Sequence, residues 1–319
     1  MINGGKDPMH LKLAKPAARA AAFGGILVLG LGSAQAAMAQ PENYVACNPN
    51  ALVSAVAGAS SGGTLYLTPG CQYWLSAGLT DSLPSLTIEG NGATLEGGST
   101  RSQFSILTVH RNDSITLDDV NFSNGSGPHG GAIRNHGHLT VNGGVFSNNS
   151  ATRGGAIKSR GNDSSLTIDD AIFTRNTAVY GGAVWASNDV TITGTTFSGN
   201  RATDAGAIDN FTTMNVTHSS FLGNVASGEG GAIYTDGTLT LGNVTGVAGS
   251  GNSFTGNQAY QGGAIYNDEE ATVGDSMIVF NAAHDVGGGI YNTSCASYTL
   301  PGSTIYGNVT DNIYNEDGC

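Results

Sequence analysis

The chain has 319 residues, of which 49 are glycine, a charged fraction of 11% and a formal net charge of -12. This negative charge is unfavourable for a nucleic-acid partner, and none is expected. Glycine costs a helix interior about 1 kcal/mol at each position, so this composition argues against a fold built from long helices.

The N-terminal segment has the pattern of a secretory signal peptide. Four basic residues precede an apolar run, AAAFGGILVLGLG: Lys6, Lys12, Lys15 and Arg19. The run is short for a membrane span, and two A-x-A sites follow it, ending at Ala36 and Ala39. We predict a signal peptide over residues 1–36, with cleavage after Ala36 or Ala39; a retained anchor is the alternative. The mature protein is then expected to be secreted, periplasmic or associated with the cell surface, without a membrane span.

Residues 40–63 are predicted to form an N-terminal cap. Asn48-Pro49-Asn50 is typical of a helix start, and ALVSAVAGA can form a short amphipathic helix before the strand sequence GGTLYL. A helix at this place would cover the open end of the strands that follow. Residues 64–319 are assigned to repeated coils.

These coils are visible as an internal repeat of about 25 residues. The phrase GGAI or a close variant begins at Gly130, Gly154, Gly181, Ala205, Gly230, Gly262 and Gly287. F-x-x-N stands upstream of most copies, beginning at Phe146, Phe173, Phe197, Phe221 and Phe254. A third phrase of the type Leu139-Thr-Val completes each period. Three short alternating segments separated by turn residues predict an all-β, single-stranded right-handed parallel β-helix with a short N-terminal capping helix.

A β-helix places equivalent side chains in columns, because its coils stack about 4.8 Å apart. The phenylalanines and the Ile or Val of GGA[IV] are predicted to fill the interior. The asparagine of F-x-x-N can tolerate left-handed dihedrals at a turn and can hydrogen-bond to its own backbone and to the next coil. The paired glycines are expected to allow positive φ and a close backbone approach at a corner.

The four cysteines follow the same period. Cys47 and Cys71 are 24 residues apart, as are Cys295 and Cys319, so each pair spans one coil and lies within disulfide reach. Four cysteines allow three pairings, and the period favours Cys47 with Cys71 and Cys295 with Cys319. Metal ligation is the alternative, but C-x-x-C motifs and clustered histidines are missing, and no metal site is predicted.

The GGAI and F-x-x-N phrases resemble the repeats of the polymorphic outer-membrane protein family. The resemblance covers roughly Phe122 to Asn315, and the run ALVSAVAGASSGGTLYLTPGCQYWL is similar to the opening of secreted bacterial right-handed β-helix proteins. It implies a β-helical adhesin, presented at the outer membrane or cell surface. Because a fold does not define an activity, the function has to be sought in a site.

Two columns are candidates for that site. The residue after GGA[IV] is expected to point outward, and this column contains Arg134, Lys158, Trp185, Asp209, Tyr234, Tyr266, Tyr291 and Tyr314. The residue before the motif gives a flanking column: His129, Arg153, Tyr180, Asp204, Glu229, Gln261 and Val286. Aromatic faces stack on sugar rings, and cations bind uronates or sulfates. We predict that the first column from Arg134 to Tyr291, with Tyr180, binds an extracellular glycan or a host or cell-surface ligand.

The charge distribution favours an anionic glycan. Beyond Ala39 the basic residues all lie in one part of the chain: Arg101, Arg111, Arg134, Arg153, Lys158, Arg160, Arg175 and Arg201. They form a local basic band on an acidic protein. The alternative is that stacked tyrosine and arginine are simply favourable exterior residues of strands.

An enzyme is the second hypothesis, because β-helices also carry lyases and hydrolases of acidic polysaccharides. A lyase needs a base and cations that neutralise the uronate carboxyl; the candidates are Lys158, Arg134 and Arg153, with Asp204 and Asp209 as ligands of calcium. An inverting hydrolase needs two carboxylates about 6.5–9.5 Å apart. Asp118-Asp119 and Asp169-Asp170 are neighbours on opposite sides of a strand, and His136 and His138 complete no hydrolase motif. No cofactor is expected, and calcium only for a lyase.

A threonine column in the third phrase suggests one further alternative. Its members are Thr116, Thr140, Thr167, Thr191, Thr240, Thr272 and Thr299. Ice-binding solenoids use paired threonine rows, whereas T-x-T occurs here only at Thr191-Ile-Thr193. Threonine is a favoured strand residue, which accounts for the column without a function.

Overall fold

The computed structural model describes residues 43–80, 85–98, 103–242 and 251–317. They lie within one compact unit, Gln40–Cys319. The predicted signal peptide with its cleavage sites, and Cys319, lie outside the described residues. The pairing of Cys295 with Cys319 therefore stays a prediction.

The chain winds as a parallel β-helix, in which each described strand pairs in parallel with its equivalent one coil away. Sheet 1 has eleven strands. They are Tyr44–Val45, Gly63–Leu67, Leu86–Glu89, Ser114–Asp118, His138–Asn142, Ser165–Asp169, Val190–Thr193, Met214–Thr217, Thr238–Leu241, Glu270–Val273 and Ser297–Thr299. The phrase Leu139-Thr-Val and its equivalents lie in this sheet.

The F-x-x-N phenylalanines lie in sheet 2, which has ten strands. They are Gln72–Leu75, Thr94–Gly97, Asn121–Ser123, Val145–Ser147, Ile172–Thr174, Thr196–Ser198, Ser220–Leu222, Ser253–Thr255, Met277–Val279 and Thr304–Tyr306. A short sheet of four strands follows it at the corner: Arg201–Ala202, Val225–Ala226, Gln258–Gln261 and Ala282–Val286.

The GGAI phrases lead into sheet 3, which has nine strands. They are Leu107–Val109, Ile133–Asn135, Ile157–Arg160, Val184–Ser187, Ile208–Asn210, Ile233–Thr235, Ile265–Asn267, Ile290–Asn292 and Ile313–Asn315. The predicted all-β parallel β-helix is thus confirmed, with three sheets per coil and a fourth at one corner.

The N-terminal end carries the predicted helix, Pro49–Ala57. Asn48 caps it by accepting a hydrogen bond from the backbone N–H of Asn50 at 2.8 Å. Its buried Leu52 and Val56 join the apolar core, so the helix covers the end of the first coil. The preceding segment adds a strand, Tyr44–Val45, that the sequence did not predict.

The predicted disulfide between Cys47 and Cys71 is confirmed, with Cα atoms 5.6 Å apart. It joins Cys47, two residues before the helix, to Cys71, which directly precedes the first strand of sheet 2. This covalent bond and the helix both hold the chain against the first coil that the structure describes.

The predicted phenylalanine column fills the interior. Its members are fully buried: Phe122, Phe146, Phe173, Phe197, Phe221 and Phe254. Neighbouring rings stack with their centroids 4.5–5.0 Å apart and nearly parallel planes. The stacking distance is close to the spacing of the coils, so one rotamer repeats along the axis.

The asparagine column forms a buried hydrogen-bond ladder. Nδ2 of Asn176 donates to Oδ1 of Asn200 at 3.0 Å and to the carbonyl oxygen of Phe146 at 2.9 Å. The backbone N–H of Asn176 also donates to Oδ1 of Asn200, at 3.0 Å. The same bonds recur down the column: Asn149, Asn200, Asn224, Asn257 and Asn281. The expected bond to the next coil is therefore confirmed.

This asparagine does not use the left-handed dihedrals that it can tolerate. The residue before it takes the positive φ: Asn148, Arg175, Gly199, Gly223, Gly256, Phe280 and Gly307. The turn is made one position earlier, which leaves the asparagine free to face inward and to bond along the axis. The side chain of Asn281 also donates to the carbonyl oxygen of Val279, at the end of the preceding strand in the same coil.

The glycine pair makes the corner before sheet 3, as predicted. Gly154 has φ 62°, a conformation that glycine adopts without a steric penalty. A Cβ on Gly155 would collide with the carbonyl oxygen of Gly182 in the next coil. The first glycine therefore turns the chain, and the second permits the coils to approach.

The buried phenylalanine column generates a stability prediction. Replacing Phe197 by alanine should lower the free energy of unfolding by about 3–5 kcal/mol, because it leaves a cavity between two stacked rings. The measurement is the urea midpoint with the slope checked for change. Trp74→Ala is the control, because Trp74 is 58% exposed on sheet 2. A harmless Phe197→Ala would show that this column is not the interior.

Candidate ligand-binding face

The first predicted column lies along the middle of sheet 3. Parallel pairing places Arg134 beside Lys158, Lys158 beside Trp185, and Trp185 beside Asp209. Tyrosines continue the column in register: Tyr234, Tyr266, Tyr291 and Tyr314. We call these eight residues the central column. The structure thus brings together the residues that the repeat phrase had aligned.

The second predicted column lies at the corner before sheet 3. Isolated parallel bridges join His129 to Arg153, Arg153 to Tyr180, and Tyr180 to Asp204. Glu229 pairs with Gln261, and Gln261 with Val286. We call this set the entry column. It flanks the central column across neighbouring coils.

Sequence reasoning missed a third column, two residues after the central one. Strand alternation places these residues on the same face, and they include His136, Arg160, Phe211, Asp236 and Asp268. The ring of Phe211 lies 5.5 Å from that of Trp185 and 6.3 Å from that of Tyr234, between ring centroids. We call this third column the exit column. The alternation of side chains along a strand, applied to the central column, would have predicted it from the sequence.

The first coils of the face are basic and aromatic. The Arg153 guanidinium lies 5.8 Å from the Tyr180 ring centroid and 5.6 Å from that of Trp185. Lys158 Nζ lies 5.4 Å from the Trp185 ring centroid. Arg134 Nε donates to His136 Nε2 at 2.8 Å. Two cations thus share one indole, which orients their side chains toward it.

Strand alternation places Lys158 on the outer face of sheet 3. Neighbouring side chains nevertheless bury it, and only 3% of its surface is exposed. Burial lowers its pKa to about 8, and the neighbouring charges of Arg153, Arg134 and Arg160 lower it in the same direction. The pKa values of His129 and His136 are also lowered, first by burial and then by these cations. The basic part of the face therefore loses some of its charge near neutral pH.

The next coils form a pocket of about 140 Å³ with carboxyl and aromatic walls. Its lining is Tyr180, Asp204, Asp209, Phe211, Glu229 and Tyr234. Asp209 is 1% exposed, and burial raises its pKa to about 8, with Asp204 and Asp236 adding to this and Arg153 opposing it. The pKa of Glu229 is raised by burial and by the carboxylates of Asp204 and Asp268.

The last coils of the face carry a tyrosine ladder. Ring centroids are 5.3 Å apart between Tyr234 and Tyr266, 4.7 Å between Tyr266 and Tyr291, and 5.4 Å between Tyr291 and Tyr314. The Tyr234 hydroxyl donates to Asp268 Oδ2 at 3.3 Å. Burial and nearby carboxylates raise the pKa of the Tyr234, Tyr266 and Tyr291 phenols, that of Tyr291 to about 12. These three phenols are thus uncharged across the physiological range.

The other candidate residues of the sequence lie on sheet 1 or at its corner. Asp118 accepts a hydrogen bond from Asn142 Nδ2 at 2.5 Å, and Asp169 is exposed in the same column. Asp119 and Asp170 make left-handed turns. These carboxylates do not join the face on sheet 3.

Two further sheet 1 features were named as candidates. His138 bonds through Nδ1 to Ser165 Oγ at 2.9 Å, so of the two histidines considered for a hydrolase only His136 reaches the face. The threonine column runs through sheet 1 in register but is interrupted where Asn215 pairs with Thr191. In the part of the chain that the structure describes, no three His, Cys, Asp or Glu side chains are grouped to hold a metal ion.

The fold and its columns define a parallel β-helix whose coils repeat GGAI and F-x-x-N phrases. Three segments match the model of the Chlamydia polymorphic membrane protein repeat: 143–160, 218–236 and 253–268. The chain therefore contains repeats of the polymorphic membrane protein type, and the resemblance read from the sequence is confirmed. No curated protein matches the chain, and no solved structure matches it. Within the described residues, none of the helices has the length and apolarity needed to cross a membrane.

Burial of the Asp209 carboxyl generates a pH-dependent prediction. Between pH 4 and pH 8 the folded protein holds this proton and the unfolded chain does not, so the wild type loses stability as the pH rises. Asp209→Asn cannot ionise and should gain stability relative to the wild type over this range, by at most about 1.4 kcal/mol per pH unit. Urea midpoints at several pH values measure it.

The control for this prediction is Asp169→Asn, which removes an exposed carboxylate from sheet 1. It should show no comparable dependence on pH. If Asp209→Asn and the wild type instead keep a constant difference in stability from pH 4 to pH 8, Asp209 does not carry a raised pKa.

Proposed function

We propose that the protein is a surface-associated, adhesin-like β-helix that binds an anionic glycan at the basic part of the face on sheet 3. The repeat match and the parallel β-helix support the adhesin-like class. The observation that carries the ligand class is the arrangement of Arg153 and Lys158 around the Trp185 ring, beside Tyr180. Secretion through the predicted signal peptide would place this face outside the cell.

The geometry suits an extended acidic sugar chain. Successive coils present equivalent side chains about every 4.8 Å, so the face offers a periodic set of contacts to a polymer. Guanidinium groups bind carboxylates or sulfates in two-point contacts, and aromatic rings stack on sugar rings. Arg134 and Arg160 extend the positive charge along the first coils of the face.

Because Lys158 has a pKa of about 8, the charge of the site depends on pH. A bound carboxylate or sulfate stabilises the charged lysine, so binding takes up protons near and above this pKa. Affinity should therefore decrease as the pH rises from 7 to 9. The same interaction weakens with salt, because the cations near the protein surface are screened.

The two tryptophans of the chain supply a matched test. Trp185→Ala removes the ring that Arg153 and Lys158 share, and the affinity for oligogalacturonate or oligoalginate in calorimetry should fall at least about tenfold. Trp74→Ala removes the exposed tryptophan of sheet 2 and should leave the affinity unchanged. Dextran, a neutral glycan, should not bind. Equal affinity of the Trp185 and Trp74 variants would place the glycan site elsewhere.

A second candidate is uronate lyase chemistry, favoured by the neutral fraction that a pKa of about 8 gives Lys158 beside Arg153 and Arg134. The neutral lysine would take the proton next to the uronate carboxyl, while the arginines neutralise that carboxylate. The electron pair forms a carbon–carbon double bond, the glycosidic C–O bond breaks, and water protonates the leaving oxygen. Lys158 would then be the base.

Ultraviolet absorbance of the unsaturated product distinguishes the two functions. If the protein is a lyase, absorbance grows during incubation with polygalacturonate or alginate, with or without calcium, and Lys158→Ala abolishes the growth. A flat trace together with saturable binding leaves the adhesin-like function and excludes lyase action on these substrates.

A further inference from the structure

The carboxyl-walled pocket is chemically distinct from the basic part of the face. Asp209 lies at its wall on sheet 3, with Tyr180 and Asp204 from the entry column of two successive coils. Phe211 and Tyr234 supply aromatic surface on the other side, and Glu229 lies one coil beyond Asp204. Three carboxyl groups and three rings thus surround one small space.

One oxygen in this pocket lacks a partner. Oδ1 of Asp209 is shielded from solvent and accepts no hydrogen bond from any described residue. A buried carboxyl oxygen without a donor costs free energy, and most buried polar groups in native proteins are paired. Asp204, in contrast, accepts a bond from the backbone N–H of Glu229 at 3.3 Å. Asp209, one of the residues that line the pocket, therefore retains an unused acceptor.

The charges around Asp209 are predominantly negative. Asp204 and Asp236 repel its ionised form, and Arg153 is the cation that favours it. The guanidinium of Arg153 lies by the rings of Tyr180 and Trp185. An incoming cation would relieve the repulsion among the carboxylates, whereas an anion would increase it.

We propose that this pocket binds the ammonium group of a ligand, with Asp209 as its counter-ion and Tyr180, Phe211 and Tyr234 as its aromatic walls. Cations bind to aromatic faces, and quaternary ammonium groups are held in aromatic cages. Sites for whole drug-sized molecules enclose about 300–1,000 Å³. The smaller volume here, about 140 Å³, suits one cationic group of a larger ligand.

This inference does not rest on the proposed glycan binding. It depends on Asp209, Phe211 and Tyr234, whereas glycan binding depends on Arg153, Lys158 and Trp185; Tyr180 borders both sites. Either can fail while the other stands. A quaternary headgroup, an amino sugar and a lysine side chain all supply the required ammonium group.

Choline chloride is the first probe, because its charge does not change with pH. We expect saturable binding in calorimetry or in proton spectra of the aromatic rings, against a sodium chloride blank. The neutral isostere of choline, 3,3-dimethylbutan-1-ol, should bind at least about tenfold more weakly. Glucosamine and an Nα-acetyl-lysine amide are the other two probes. The probe with the highest affinity of the three, choline included, identifies which kind of ligand supplies the ammonium group.

The variant test uses Asp209→Asn, which keeps the shape of the side chain and removes its negative charge. Choline affinity should fall at least about tenfold, whereas Asp169→Asn on sheet 1 should leave it unchanged. In the wild type the affinity should rise with pH up to about pH 8 and then level off, because binding requires ionised Asp209. Asp204, Asp236 and Arg153 are the charged groups that set this titration. The Asn variant should lose most of this pH dependence; the remainder comes from Glu229, the other pocket carboxyl with a raised pKa.

Three results would overturn the proposal. One is that no ammonium probe binds to the wild type. Another is that the neutral isostere binds as tightly as choline, which would make the pocket a hydrophobic site. The third is that Asp209→Asn, shown to be folded by its urea transition, binds choline like the wild type.

Discussion

Parallel pairing between neighbouring coils is the constraint on which the rest of the structure depends. Because each strand pairs in register with its equivalent one coil away, a residue type that recurs in the sequence becomes a continuous column about 4.8 Å per step. In the interior this is favourable, since Phe173 stacks on Phe146 and Phe197 in one rotamer. At the corner Asn176 gives the buried backbone groups their partners and bonds to the next asparagine. The parallel pairing of strands between coils thus determines the stacking of the rings, the hydrogen bonding of buried polar groups and the geometry of the turns.

The same constraint is unfavourable for charges on the outer face. Stacking brings Lys158 beside Arg134, and it brings Asp209 near Asp204, so like charges accumulate within each part of the column. The chain limits this cost in two ways. Aromatic rings alternate with the charges, as Trp185 does between Lys158 and Asp209, and the pKa values of the buried groups shift toward neutrality. Groups held partly neutral in this way respond strongly to a ligand of opposite charge.

The sequence predicted those features that depend on period alone. The interior phenylalanines, the glycine corner, the Cys47–Cys71 bond and the register of the central column all follow from spacing, because stacking turns spacing directly into contact. Features that depend on local geometry were not predictable in the same way. The left-handed turn at Arg175, before Asn176, is decided by which backbone groups the asparagine must reach. The burial of Lys158 and Asp209 is decided by the rings and corners of adjacent coils, which no single repeat contains.

The two ends of the charged region differ: the basic part lies in the first coils of the face, and the carboxyl pocket lies in the next coils. Lys158 and Asp209 belong to coils on either side of Trp185, so these two residues are two coil spacings apart, or about 10 Å, and Tyr180 borders both the basic part and the carboxyl pocket. The proposed anionic glycan would be attracted to the basic part of this face and repelled by the carboxyl pocket. A ligand with separated positive and negative groups would find both partners in one orientation only. Since the columns are held in register by the backbone ladder and not by the side chains themselves, substitutions on the face change this selectivity without changing the fold.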